Sequence, residues 1–121
     1  MLEISERQFQ QFEQDREERF IRQTAERLRE DFPERIDELG LSPEDTVTFV
    51  RNGIARARQY DVRYEEDLIF YLDCMMTLGL DFDKDPSHPE ITAMLQREDI
   101  AGDEKMDFID EYLLFALDSP K

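Results

Sequence analysis

Between Ser5 and Phe32 apolar residues follow the three- to four-residue spacing of an amphipathic helix, with a break at Arg16. Pro33 is the first residue that resists continuation of this helix, because proline lacks the amide hydrogen that a helix interior uses. A short second helix is expected to end at Gly40, a residue that favours helix C-termini. The pattern therefore predicts a long N-terminal helix of roughly 40 Å, at 1.5 Å per residue, followed by a short one.

The clearest predicted helix start is the run Ser42-Pro43-Glu44-Asp45. It supplies an N-cap, a proline at the first helical position and two acids where the helix dipole favours negative charge. Apolar positions from Val47 to Ala57 then share one face, and the helix is expected to end near Tyr60. Its interior Gly53 costs about 1 kcal/mol relative to alanine, which indicates a close approach of another helix.

The third main helix is predicted from about Tyr64 to Leu78, with Gly79 as its end. Its later turns contain few polar positions, which is typical of a buried helix. We therefore expect this helix at the centre of the bundle, with Cys74 as a small core residue. The residues predicted at its centre are Leu68, Ile69, Leu72, Met75 and Met76.

Two further helices complete the predicted fold. Ser87 and Glu90 have the spacing of a capping box before a short helix, and a last helix is expected from about Asp103 to Leu117. Four glycines and five prolines are few for a fold with many tight turns, which argues against a β-sandwich or barrel. The sequence predicts an all-α, single-domain bundle of about four to six helices over residues 1–121.

The formal charge of −16 limits the classes of partner that the chain can bind. Such a charge repels nucleic-acid phosphates and anionic lipid headgroups, so direct binding to nucleic acid or membrane is not expected. No apolar run has the length of a membrane helix, and a single cysteine cannot form an internal disulfide. We expect a soluble, cytoplasmic protein.

The negative charge is concentrated in the second half of the chain. Residues 61–121 contain 17 acidic and five basic residues, a net charge of −12. A field of one sign accelerates encounter with an oppositely charged surface, so the expected partner is a protein with a basic surface. The candidate contacts are Asp81, Asp83 and Asp85 in a loop and Asp107, Asp110 and Glu111 on the last helix.

The loop that begins at Asp81 resembles the start of a calcium-binding EF-hand loop, but Pro86 replaces the turn glycine and Thr92 the closing glutamate. We therefore predict no metal and no cofactor, with Phe82 folded back onto the core. His88 is the only histidine and no motif places a nucleophile beside it, so the sequence predicts a surface or capping role and no enzyme activity.

A set of residues distributed over most of the chain carries a family resemblance. They are Phe32-Pro33, Gly53-Ile54, Ala57, Tyr60, Glu65, Asp67, Leu78-Gly79, Phe82-Asp83, Asp85-Pro86, Leu95 and Lys105. With them, the chain resembles small all-helical proteins encoded in bacterial type VI secretion clusters, beside genes for spike proteins, effector-loading adaptors and toxic effectors. The resemblance implies a co-adaptor or co-chaperone that helps an adaptor hold an effector before it is loaded on the spike.

Two other functions fit the same charge and size. An immunity protein that neutralises a cationic toxin would also be small, acidic and without catalytic motifs. A DNA mimic would present carboxylates spaced like phosphates to a nucleic-acid-binding protein. Co-purification with a loading adaptor, rescue from a toxin, and displacement of DNA from a binding protein distinguish these three hypotheses.

Overall fold

The structure is a computed structural model that describes residues 6–118 and the side chains of residues 13–116. Residues 6–118 form six α-helices and one short 3-10 helix and contain no β-strand, so the predicted all-α class and the number of helices are confirmed. The helices are α1 (Glu6–Asp31), α2 (Pro33–Leu39), α3 (Pro43–Gln59), α4 (Glu65–Leu78), α5 (Pro89–Leu95) and α6 (Gly102–Asp118), with the 3-10 helix at Phe82–Lys84.

The helix boundaries follow local residue chemistry at most positions. At the start of α3, the Asp45 amide donates to Ser42 Oγ at 3.1 Å and the Ser42 amide donates to the Asp45 carboxylate at 3.2 Å, so the predicted cap is confirmed. Gly40 ends α2 in the left-handed conformation, at φ 66°. The capping box predicted from Ser87 is wrong, because the N-cap of α5 is His88 and no side chain caps it.

The helices group into two compact units, one within Met1–Arg51 and one within Asn52–Lys121, and the boundary falls inside α3. The first unit buries Ile21, Leu28, Ile36 and Val50 and carries mixed-sign charges on its surface. Ser5, at the predicted start of the first helix, lies outside the described residues. The single domain over residues 1–121 stays a prediction.

The second unit has an aromatic and methionine-rich core built around α4. Of the residues expected at its centre, Leu68, Leu72, Met75 and Met76 are buried, whereas Ile69 is partly exposed. The close approach predicted at Gly53 is confirmed: a Cβ atom there would lie 2.5 Å from Leu72 Cδ2. The position of α4 at the centre of the whole bundle stays a prediction.

Cys74 and Phe82 also occupy the expected positions in this core. Both are buried, and the ring of Phe82 packs against that of Tyr71 with a centroid distance of 4.9 Å. Burial raises the pKa of the Cys74 thiol to about 12, so the group is a protonated thiol at neutral pH. Cys74 is therefore a core residue, as predicted.

A buried ion pair fastens the 3-10 helix to α3. Asp83 is only 2% exposed, and its carboxylate pairs with the Arg56 guanidinium and accepts a hydrogen bond from the Tyr60 hydroxyl at 2.6 Å. Arg56 also donates to the Leu80 carbonyl at 2.8 Å. Burial, together with the hydrogen bond to Asp83, raises the pKa of Tyr60 to about 12.

The predicted role of Asp83 as a partner contact is therefore corrected. Its carboxylate is enclosed by Arg56 and Tyr60 and does not reach the protein surface, so it anchors the loop. Asp81 also lies 3.7 Å from Arg56, which makes a guanidinium the cation that these two carboxylates face. Of the alternating acids that resemble a calcium loop, Asp83 thus stabilises the fold through an arginine on another helix.

Asp83→Asn should lower the free energy of unfolding by about 3 kcal/mol, because it leaves the Arg56 charge without its buried partner. The matched control is Asp81→Asn in the same loop, whose side chain is 87% exposed and whose removal should cost no more than about 0.5 kcal/mol. Urea denaturation of both variants measures the difference. Equal unfolding midpoints for the two variants would contradict the anchoring role of Asp83.

Candidate protein-binding groove

The first turns of α4 and α6 lie side by side. A Cβ atom at Gly102, the first residue of α6, would overlap the backbone carbonyl of Asp61, which precedes α4. Gly102 also contributes a backbone hydrogen bond to the Asp61 carboxylate. Further along both helices, Cys74 of α4 is close enough to Asp110 of α6 for the carboxylate to raise its pKa. The two helices therefore run in the same direction along this face.

Lys105 fixes the rotation of α6 about its own axis. It is 3% exposed, and its ammonium donates to the carbonyls of Tyr60 at 3.0 Å and Leu95 at 2.9 Å. These carbonyls lie at the C-terminal ends of α3 and α5, where a cation is favoured. Because Lys105 and Ile109 occupy the inner face, the residues at 103, 107 and 110 fall on the opposite, exposed side of α6, where they line a groove shared with α4.

A groove of about 440 Å³ separates α4 from α6. Its lining combines carboxylates with aromatic and thioether side chains and contains no basic residue. The lining residues are Tyr64, Glu66, Asp67 and Phe70 from α4 and the residue before it, and Asp103, Met106, Asp107 and Asp110 from α6. Tyr64 is 61% exposed at one end, so an aromatic ring is accessible beside five carboxyl groups.

The carboxylates of this groove repel one another. Partial burial, followed by the charges of Glu66, Asp107 and Asp103, raises the pKa of Asp67. The positive ends of the two helices favour acids in the first turns, but this effect fades within one turn. Asp107 and Asp110 lie beyond it, and Lys105, the single base of α6, faces the core. The groove therefore holds negative charge that no lining residue neutralises.

The structure separates the six predicted contact residues into different environments. Asp107 and Asp110 line the groove, whereas Glu111 is exposed on α6 outside its lining. Asp81 is exposed beside Arg56. Asp85 accepts a hydrogen bond from the Ser87 amide at 2.9 Å, which lowers the pKa of its carboxyl group. The lining of the groove contains Asp107 and Asp110 and none of the loop acids, and the partner contacts of the five predicted residues other than Asp83 stay predictions.

Sequence reasoning missed the α4 side of the groove. Glu66 and Asp67 precede Asp107 by about 40 residues, and only the packing of α4 on α6 brings them together. The spacing of Asp103, Asp107 and Asp110, at i, i+4 and i+7, was a usable signal, because it places three acids on one face of a helix. The alternating acids of the loop are not part of this lining.

Other reactive side chains of the described region have structural partners. His88 Nδ1 lies 3.4 Å from the Tyr112 hydroxyl, and Tyr112 donates to Glu90 at 3.2 Å. Within the described residues, histidine, cysteine, aspartate and glutamate form no group of three or more that could hold a metal ion. The α4–α6 groove is thus the candidate site on which the remaining argument is built.

Comparison with protein-family models, with curated proteins and with solved structures finds no match to this chain. The type VI secretion assignment therefore stays a prediction that depends on the residues quoted above. Over the described part of the chain, no helix is both long enough and apolar enough to span a bilayer.

Asp67→Asn should raise the melting temperature at pH 7. The pKa of Asp67 is raised in the folded state, so folding takes up protons at pH values between the unfolded and folded pKa. Above both pKa values the Asp67 carboxylate is ionised and destabilises the folded state. The gain from the substitution should shrink as the pH falls through the folded pKa, because the native carboxyl group then becomes neutral. Thermal denaturation between pH 3 and 7 measures this dependence.

Asp99→Asn is the control of opposite sign, since hydrogen bonding to Arg97 lowers the pKa of Asp99. It should not raise the melting temperature at pH 7. A lower melting temperature for Asp67→Asn at pH 7, or a gain that is the same at every pH, would contradict the repulsion within the groove.

Proposed function

We propose that the chain is a non-catalytic, cytoplasmic accessory factor, a co-adaptor or co-chaperone that assists the loading of type VI secretion effectors by binding a basic protein surface. The observation that carries the proposal is the α4–α6 groove, in which five carboxyl groups surround Tyr64, Phe70 and Met106. Two arguments support it, one from the chemistry of the groove and one from the residues that carry the resemblance.

The composition of the groove favours a protein partner. Protein interfaces commonly combine buried aromatic and methionine side chains with a polar rim, and a few such anchors supply most of the affinity. Tyr64 and the partly exposed Phe70 provide apolar surface in the groove, and the carboxylates provide a rim of one sign. A rim of this kind mainly accelerates association with a basic surface and rejects acidic ones.

The residues that carry the resemblance support a shared fold. Lys105 and Asp83 make buried polar contacts, Gly53 admits Leu72, and Gly79 follows the last residue of α4. A fold held by the same residues would present equivalent helix faces to a partner. The loading function itself enters through the resemblance, and the acidic groove supplies a surface suited to it.

The test is affinity purification of the tagged chain from the cell that encodes it, followed by mass spectrometry. The wild type should retain an effector-loading adaptor together with its effector. The double variant Asp107→Asn/Asp110→Asn should lose both, because it removes two charges from the groove. The control Glu98→Gln/Glu104→Gln removes two exposed charges outside the groove lining and should retain them.

Other outcomes of the same purification would contradict the loading function. Recovery of a cationic toxin whose activity the chain blocks, without an adaptor, would establish an immunity protein. Recovery of a DNA-binding protein that releases its DNA in exchange for the chain would establish a DNA mimic.

A further inference from the structure

We infer that the α4–α6 groove receives a cationic amphipathic helix of about three turns, with basic side chains over the carboxylates and apolar side chains against Phe70 and Leu114. The inference rests on the proposed function only in taking a protein segment as the occupant. It names the chemistry and the secondary structure of that segment, which the proposed function leaves open.

The acidic wall of the groove has the length and repeat of a helix. Asp103, Asp107, Asp110 and Leu114 follow one another at intervals of four, three and four residues, so they share one face of α6. They span roughly 16 Å at 1.5 Å per residue, about three helical turns. Leu114 is 57% exposed one turn beyond Asp110, so the row of acids ends at an accessible apolar side chain.

The spacing of this wall favours a helical occupant over an extended one. A guest helix lying along α6 presents one side chain per turn, about every 5.4 Å, which matches a host wall with the same period. An extended segment presents side chains on one face about every 6.8 Å and would lose register by roughly 4 Å over three repeats. Helices that lie in grooves are a common mode of peptide recognition, with anchors at i, i+3, i+4 and i+7.

The charge of the groove selects a cationic helix. Its five carboxyl groups have no basic neighbour in the lining. The ammonium of Lys105 donates to two backbone carbonyls on the opposite side of α6. Burial first, and then the charges of Glu66, Asp107 and Asp103, raise the pKa of Asp67, so repulsion among these acids contributes to the cost of its ionised form. A basic guest would relieve this repulsion, whereas an acidic guest would add to it.

The apolar residues of the groove require one face of the guest to be apolar. Phe70 is partly exposed in the lining of the groove, Leu114 is 57% exposed beyond Asp110, and Met106 is buried beneath the surface. The exposed ring of Tyr64 at the entrance can accept an arginine or lysine in a cation–π contact while neighbouring carboxylates pair with the same charge. An unpatterned cationic chain could satisfy the acids but would leave these side chains uncovered.

The inference is tested with three synthetic peptides of about 14 residues, long enough for three to four turns. One places leucines on one helix face and lysines and arginines beside them, the second has the same composition in scrambled order, and the third replaces the basic residues with glutamate. Binding to the full chain is measured by isothermal titration calorimetry at about 0.05 M and about 0.5 M salt, and guest helicity by circular dichroism.

The patterned cationic peptide should bind most tightly of the three and should become helical on binding. Its affinity should be lower at the higher salt concentration, and the glutamate peptide should not bind. Asp107→Asn/Asp110→Asn should weaken binding about tenfold, whereas Glu98→Gln/Glu104→Gln should change it less than about threefold. Tyr64→Ala should weaken binding as well. Thermal melts should show that all variants are folded, since removing acids from the groove relieves repulsion.

Equal affinities for the patterned and scrambled peptides, or an affinity that the groove variant leaves unchanged, would overturn the inference. These outcomes are distinguishable from failure of the loading function. The patterned peptide could bind the groove although the chain co-purifies with no loading adaptor. This result would contradict the type VI role and would support a cationic amphipathic helix as the occupant. Co-purification with the adaptor that persists in the groove variant would place the interface elsewhere.

Discussion

The buried ammonium of Lys105 determines which side of α6 faces the core. Its ammonium donates hydrogen bonds to the carbonyls of Tyr60 and Leu95 at the ends of two other helices. These bonds hold the inner face of α6 against the core. An ammonium at this depth is tolerated because both acceptors lie at helix C-termini, where the backbone carries partial negative charge. With α6 held in this rotation, Asp107 and Asp110 are exposed and line the groove.

The groove combines a rigid support with an unfavourable charge distribution. Gly102 packs directly on the Asp61 backbone, so the start of α6 cannot move away from the start of α4 without breaking this contact. The acids therefore line one groove although they repel one another, and burial together with this repulsion raises the pKa of Asp67. Binding sites often give up stability in this way, because the groups that favour a ligand disfavour one another in its absence. A cationic partner would recover this energy on binding.

Most helices could be predicted from the sequence, whereas the ion pairs between distant residues could not. Ser42, Pro43 and Gly79 mark helix ends through local backbone chemistry, and Gly53 indicated a close contact because a glycine inside a helix has a cost. The burial of Asp83 depends on Arg56, 27 residues earlier, and no local pattern encodes that pairing. The groove could not be predicted for the same reason, because its two walls come from segments that are distant in the chain. Acidic residues look alike in a sequence with 31 of them, and only packing separates an anchor from a surface charge.

The measurement that tests the groove most directly is an NMR titration of the full chain with the patterned cationic peptide. If the groove is the interface, the largest amide shift changes should fall in residues 64–70 and 103–114 and should diminish with salt, while residues 13–51 and the loop at Asp81–Asp85 change little. Largest changes in the loop or in residues 13–51, with those along α4 and α6 unaffected, would contradict the account.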